Sequence, residues 1–390
     1  MTGSIPLAVF EGAAIFDGDR LHATSALVVE DGRVVGIVPT DEAPRGERVL
    51  LAGGTLAPGF IDLQVNGGGG ILLNDAPTLE GIRTICAAHA RLGTLGLLPT
   101  LITDTAQVTG AAIEAGLAAA RDRVPGFLGL HLEGPHLDPR RKGAHDPDLI
   151  RPMTADDLAR LCDAARRLPA LLVTVAPEAA DPQQIAALAA AGAIVSLGHS
   201  DASAAAAAAS FAAGARLVTH LFNAMSQLGS REPGLVGAAL DAAGVRAGLI
   251  ADGVHVAPLT MRVALAAKAG ADPVFLVTDA MAVAGTDATS FELNGRTIHR
   301  RDGRLTLADG TLAGADIDMP GALRVLTRDV GLTLPQALRL ATLAPALALG
   351  QAGLGRLAPG SAADLVHLDA DLALTGVWRG GLPGVRFSGQ

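Results

Sequence analysis

One carboxylate and two imidazoles stand at the ends of three short apolar runs. In "GLHLEGPHLDP", Leu128, Leu130 and Leu132 alternate toward one side and leave His131 and Glu133 on the other. The same pleat logic, applied to "AIVSLGHSDAS" and "RLVTHLFNAM", turns His199 and His220 to that side too. Glu133, His199 and His220 make a donor set for a divalent cation, since two His and a Glu with water in the open position is a catalytic zinc arrangement. Iron(II), manganese or cobalt also suits an N₂O set. A lone His near a strand end is more often a hydrogen-bonded structural residue, but three such groups on one rim favour the metal. A fourth residue, Asp279, closes "FLVTDA". A carboxylate there faces across toward such a cation and can accept a proton from water, then return it to a leaving group. It also suits the N-cap of the segment that follows, and position alone does not choose between the two roles.

These side chains need a frame that gathers strand ends. Eight runs, "GFIDLQVN", "GTLGLLPT", "GFLGLHLE", "ALLVTVAPE", "AIVSLGH", "RLVTHLFN", "RAGLIADG" and "PVFLVTDA", are each followed by an Ala/Leu-rich helical segment. Eight strand-helix alternations predict an α/β fold, a closed parallel (β/α)₈ barrel of the TIM type over residues 56–349. The runs end in Asn66, Thr100, Glu133, Glu178, His199, His220, Asp252 and Asp279, and the C-terminal rim of such a barrel is where chemistry sits. One stretch interrupts the alternation. "FELNGRTIHRRDGRLTLADGTLAG" carries Asn-Gly and Asp-Gly turns and predicts a β-hairpin insertion near 290–315, after strand eight. Residues 1–55 and 350–390 carry β-branched runs around Asp-Gly and Gly-Gly turns, which predicts a small β-sandwich domain built from both termini.

Composition narrows the partners. The 390 residues are 49% hydrophobic, enough for a large core. A net charge of −9 without any long Lys/Arg run argues against nucleic acid, though a small anionic substrate needs only a local cluster. Arg140, Arg141 and Lys142 form the one tight basic triplet. The two cysteines, Cys86 and Cys162, read as buried thiols rather than a disulfide framework. "MTGSIPLAVFEGAAIFDGDR" lacks a basic segment followed by an apolar core, and "ASAAAAAASFAAGA" is too short and weakly apolar to span a bilayer. A cytoplasmic enzyme with no membrane partner is expected.

Taken in order, "PGFIDLQVNGGGG", "HLEGPHLDPRRKGAH", "LGHSDAS", "THLFNAM…REPGL", "ADGVHV" and "LVTDAMA" resemble the N-acetylglucosamine-6-phosphate deacetylase family of the amidohydrolase superfamily. "ATLAPALALG…GRLAPGSAADLV" resembles the superfamily's C-terminal signature, so the resemblance runs from about Gly53 to Val366. It implies metal-dependent hydrolysis of the N-acetyl group of N-acetylglucosamine 6-phosphate to glucosamine 6-phosphate and acetate, in amino-sugar catabolism. N-acetylgalactosamine 6-phosphate or another N-acyl compound is the alternative substrate. A non-catalytic relative is the other alternative, but such relatives lose ligands that all stand here. The resemblance further implies that Glu133, His199 and His220 bind the metal and that Asp279 is catalytic. His145 then lies near the acetamide carbonyl, Asn223 and Ala224 bind the sugar phosphate, and Arg231 and His255 contact substrate. Arg231 does so from a neighbouring subunit, which implies a homodimer.

The first run departs from its relatives. With Ile61, Leu63 and Val65 on one face, Asp62, Gln64 and Asn66 share the other. Many amidohydrolases carry His-x-His where this chain has Gln64-Val65-Asn66, and neutral amides are poor ligands for zinc-like ions. A metal-bridging lysine from strand four is absent too, since "VTVAPE" ends in glutamate. We expect one divalent ion per active site, zinc foremost, with Gln64 and Asn66 binding water or orienting neighbours.

Overall fold

The computed structural model describes residues 7–385. Each of the eight apolar runs becomes a strand: β1 (Phe60–Val65), β2 (Thr94–Ile102), β3 (Leu130–Glu133), β4 (Leu171–Val175), β5 (Ile194–Leu197), β6 (Leu217–Val218), β7 (Arg246–Leu249) and β8 (Val274–Leu276). They pair in chain order in one parallel sheet. Between them run α1 (Leu79–Ala90), α2 (Ala106–Arg121), α3 (Ala155–Arg167), α4 (Pro182–Ala190), α5 (Ala204–Ala212), α6 (Gly234–Asp241) and α7 (Pro258–Ala267). The helices start where the sequence supplies an acceptor. Thr78, Thr105, Thr154, Asp181 and Ser203 each take a backbone N–H of the first turn of α1 to α5, a cap worth about 1 kcal/mol. Strand residues such as Leu130, Leu132, Leu171, Val173, Val195 and Leu197 pack with Ile82, Ile113, Ile185 and Leu188 of the helices in one apolar layer.

The first and last strands meet through few backbone bonds. Val65 bridges Ala280, the Asp279 N–H donates to Gln64 O at 3.0 Å, and the Asn66 N–H donates to Ala280 O at 2.8 Å. Deeper in the seam the fully buried Asp62 carboxylate accepts from the Thr278 N–H, the Thr278 hydroxyl and the Gln64 N–H. Burial pushes Asp62 up to about 7 despite these donors. The pairing of β1 with β2 shifts register twice. Ile61 and Leu63 therefore share a cluster with Leu98, Leu172 and Phe275, while Val65 packs with Leu97 and Leu101. The strict two-faced strand expected for this run is broken by those irregularities.

Inside the barrel, below the rim, lies a polar layer. His131 Nε2 is 2.7 Å from Thr174 Oγ1, which is 2.7 Å from Thr219 Oγ1, itself 2.6 Å from Ser196 Oγ. Burial pushes His131 down to about 4, so the ring is neutral.

The residues after β8 form a four-stranded antiparallel sheet, Ser290–Leu293, Arg296–Arg301, Arg304–Thr306 and Leu312–Ala315, larger than a single hairpin. Its last strand leans on the barrel: the Ala315 N–H donates to Asp279 O at 3.1 Å. Gly314 makes that approach feasible. At φ +71°, a Cβ there would lie 2.4 Å from Met281 Cγ and 2.7 Å from Asp279 O. Helices α8 (Met319–Val325), α9 (Leu334–Ala341) and α10 (Leu343–Ala348) follow.

Strands from both ends of the chain build two further sheets. Arg33–Pro39, Ser25–Glu30, Ala8–Glu11 and Glu47–Leu50 form one. Leu382–Val385, Leu374–Arg379, Leu365–Leu368, Thr55–Pro58, Ala14–Phe16 and Leu21–His22 form the other. Phe10, Leu27, Leu56, Leu365 and Trp378 fill the space between, with Phe10 edge-on to Trp378 at 5.4 Å. Cys86 and Cys162 are buried free thiols, and burial pushes Cys86 up to about 12. No helix among the described residues is long and apolar enough to cross a membrane.

Candidate active site

Glu133 reaches the barrel mouth by simple alternation, two residues beyond the interior His131. His199 and His220 do not. Ser196 and Thr219 point inward, so the pleat would send His199 and His220 outward. Left-handed backbone at both, φ 48° and 29°, turns them back over the mouth. Asp279 has φ 53°, Phe222 has φ 79° and Ala224 has φ 49°. Non-glycine residues rarely adopt this conformation, and five of them at or just past the strand ends mark a place where the fold holds strain for function.

The three donors converge. His220 Nε2 lies 3.0 Å from Glu133 Oε1 and 3.1 Å from His199 Nε2, and His199 Nε2 lies 3.3 Å from Glu133 Oε1. Tetrahedral ligands about 2.0–2.1 Å from one ion sit about 3.3–3.4 Å apart, close to these separations. Glu133 is fully buried. Burial alone would raise its pKa, yet hydrogen bonding to His199 and His220, together with their charge, holds it well below the usual carboxylate range. His199 Nδ1 lies 2.8 Å from the carbonyl oxygen of Arg141. A carbonyl only accepts, so Nδ1 carries a proton, and Nε2 is the ring nitrogen left to offer a lone pair to a cation. That arrangement fits a divalent cation.

The donor atoms of Glu133, His145 and His199 also lie within 4.8 Å of one another, which makes His145 a competing third ligand. Its hydrogen bonds argue otherwise. His145 Nδ1 accepts the Thr103 backbone N–H at 3.3 Å and lies 2.7 Å from Thr103 Oγ1. Burial, aided by the charge of His199, pushes the ring down to about 3. The neutral ring then keeps its proton on Nε2, 3.9 Å from Glu133 Oε2, and is a donor rather than a ligand. We therefore favour Glu133, His199 and His220.

The amide pair at the end of β1, Gln64 within it and Asn66 just past it, serves the carboxylates. Gln64 Nε2 donates to Glu133 Oε1 and Oε2 at 3.1 and 3.2 Å and to Asp279 Oδ1 at 3.1 Å. Asn66 Nδ2 donates to Asp279 Oδ1 alone, at 2.7 Å. Burial, with the Glu133 charge adding to it, pushes Asp279 up to about 6 against the pull of those donors. A carboxyl group titrating there suits both halves of acid–base catalysis near neutral pH.

A cavity of about 530 Å³ opens over these groups. Asn66, Glu133, His145, His199, His220, Asn223, Ala224, His255 and Asp279 all line it. Arg231 does not; it lies exposed in the loop before α6. Glu178 turns instead to Ser200 Oγ, at 2.8 Å, and to Arg140. Three features were missed at the sequence level. Thr103 sets the His145 tautomer. Asp252 Oδ2, at 2.6 Å from His255 Nδ1, fixes that ring, and its position at the end of the β7 run was the available signal. Leu293 and residues 310–314 of the insertion form one wall of the cavity, for which a turn-rich stretch gives no sign.

The chain is similar to known proteins along most of its length. The chain is 41% identical over 381 residues to an N-acetylgalactosamine-6-phosphate deacetylase from Shewanella sp. (strain ANA-3), covering 96% of this chain and 95% of that one. It is 35% identical over 329 residues to an N-acetylglucosamine-6-phosphate deacetylase from Haemophilus influenzae, covering 83% and 85%. Among solved structures, N-acetylglucosamine-6-phosphate deacetylase from Pasteurella multocida superposes with a TM-score of 0.92 at 34% identity, over 96% of this chain and 98% of that one. A mutant of N-acetyl-D-glucosamine-6-phosphate deacetylase from Mycobacterium smegmatis, solved in complex with N-acetyl-D-glucosamine-6-phosphate, gives 0.90 at 33%, over 97% and 99%. The amidohydrolase family model matches residues 55–386, nearly everything from the start of the barrel onward. With that span, and with relatives this similar along almost their whole length, the chain belongs to the amidohydrolase family.

Proposed function

We propose that this chain is a divalent-metal-dependent deacetylase that hydrolyses the N-acetyl group of N-acetylglucosamine 6-phosphate, releasing acetate and glucosamine 6-phosphate. The observation that carries this reading is the convergence of Glu133, His199 and His220 to within 3.0–3.3 Å, on the same cavity as a buried Asp279. Zinc, or else iron(II), manganese or cobalt, held by those three side chains would supply the Lewis acidity that polarises an amide carbonyl and activates water. Asp279 takes a proton from the attacking water and hands it to the departing amine, which would otherwise be a very poor leaving group. Gln64 and Asn66 hold its Oδ1, which leaves Oδ2 for the proton. His145 donates its Nε2–H to the oxygen on which negative charge develops. Asn223, Ala224 and His255 on the same cavity bind the sugar phosphate. Arg231, exposed on its own subunit, serves the partner's phosphate in a homodimer. A dianionic sugar phosphate does not cross a bilayer unaided, which favours the cytoplasm and a place in amino-sugar catabolism.

The 41% relative favours a second reading, the galactosamine isomer. Acetate release by the metal-loaded protein decides between them. We expect turnover of N-acetylglucosamine 6-phosphate and little turnover of the unphosphorylated sugar. Faster release from N-acetylgalactosamine 6-phosphate selects the second reading, and no release from either overturns both.

A further inference from the structure

The loop that carries His145 is tied to His199 by a closed ring of contacts. From His199 the chain runs two residues to Asp201, whose Oδ1 accepts from Arg141 Nε at 2.8 Å and Nη2 at 2.6 Å. The Arg141 carbonyl in turn accepts the His199 Nδ1 proton at 2.8 Å. The backbone repeats the link, since the Asp138 N–H donates to His199 O at 2.9 Å. The loop is flush against the ring: a Cβ on Gly143 would lie 3.3 Å from His199 Cε1, and the His145 and His199 ring centroids are 4.3 Å apart.

An ion pair as open as this one, with Arg141 37% and Asp201 30% exposed, contributes little to stability. Its forked geometry fixes something else. Both donors of Arg141 sit on one carboxylate oxygen, which sets where the residue's own backbone carbonyl stands. That carbonyl sets the tautomer and the tilt of His199.

We propose that Asp201 and Arg141 are positioning residues for the metal, acting through the Arg141 carbonyl to hold His199 Nε2 as a lone-pair donor. The inference rests on the metal-site reading above. Outer partners of this kind change metal affinity by about 10–100-fold when removed. Arg140 tests the carbonyl specifically. Its guanidinium also reaches Asp201, at 3.3 Å, but its carbonyl does not meet His199.

The test is zinc affinity, measured with a competing chelator on full-length wild type, Asp201→Ala, Arg141→Lys, Arg140→Ala and His199→Ala. Asp201→Ala should bind zinc about 10–100-fold more weakly, Arg141→Lys should weaken it in the same direction, and Arg140→Ala should match wild type. Turnover of Asp201→Ala should recover at saturating zinc with KM unchanged, and its urea midpoint should stay near that of wild type. Should Asp201→Ala fail to fold, Asp201→Asn takes its place. Wild-type zinc affinity in Asp201→Ala and Arg141→Lys overturns this inference alone, as does equal weakening in Arg140→Ala. A wild type that binds zinc no better than His199→Ala overturns the metal-site reading, and this inference with it.

Discussion

Replacing Asn66 with alanine isolates the base, because the Asn66 side-chain amide donates to Asp279 Oδ1 at 2.7 Å and, among the described residues, to no other carboxylate. A hydrogen bond to a charged group is worth about 1.5–3 kcal/mol, and one pKa unit corresponds to about 1.4 kcal/mol. Losing this donor should therefore raise Asp279 by about 1–2 units from its position near 6. The sign follows from the role. Asp279 must be ionised to accept a proton, so the protonated form is inactive and raising its pKa moves the acid limb of kcat/KM toward higher pH. Metal loading lowers the limb in wild type and variant alike, so the difference is the quantity to read. The assay is a pH series of acetate release on metal-replete wild type and Asn66→Ala. The variant should lose about 10–100-fold at pH values on the limb and recover toward wild type well above it. Gln64→Ala is the comparator. It removes a donor from Glu133 as well as from Asp279, so zinc affinity should fall along with the limb shift, whereas Asn66→Ala should leave zinc affinity intact. An unmoved limb in fully loaded Asn66→Ala would refute the assignment of Asp279 as the titrating base.

Other perturbations follow from the same geometry. Asp279→Asn should retain metal, measured by elemental analysis, while turnover drops by orders of magnitude; near-normal turnover removes Asp279 from the mechanism. Asp157 completes the capping box of α3 by accepting the Thr154 N–H, and it is paired with Arg151, whose hydrogen bond holds it well below the usual carboxylate range. A lowered folded pKa gives stability that is present above the unfolded value near 4 and is lost below it. Asp157→Asn should thus cost about 1 kcal/mol in urea unfolding at pH 7, and the gap should narrow as pH falls below about 4. Gly314→Ala should lower both activity and thermal midpoint, with an expected cost of about 1–3 kcal/mol, because its methyl would press on Met281 and the Asp279 carbonyl. A variant indistinguishable from wild type would show that the insertion can retreat freely.

Much of the barrel was legible because its evidence is local. Eight apolar runs, the first five followed by helices with a side-chain acceptor such as Thr105 or Asp181 at the start, need only hydrophobic pattern and that acceptor to be seen. Glu133 was legible for the same reason, lying in phase with its strand. Alternation points to His199 and His220 for the rim, but the turn that brings them there is left-handed backbone rather than the pleat. A left-handed turn at a non-glycine residue leaves no mark in sequence, because the long-range bonds that hold it come from elsewhere in the chain. Tautomers were beyond reach as well. His145 and His199 look alike as letters, yet a backbone N–H from Thr103 makes one a donor and the Arg141 carbonyl makes the other a lone-pair bearer. The true size of the insertion and its share in the cavity wall depend on how four short strands stack, which turn residues alone do not state.

The insertion touches the barrel in two unequal ways. Its last strand is stitched to Asp279, while the Asp309-Gly310 turn and Thr311 only overlook the cavity. The shape of the cavity wall is therefore separable from the anchoring of Asp279 in this scaffold. A combinatorial library confined to residues 308–311 would reshape the cavity wall, whereas grafting a whole foreign insertion would put the anchor of Asp279 at risk.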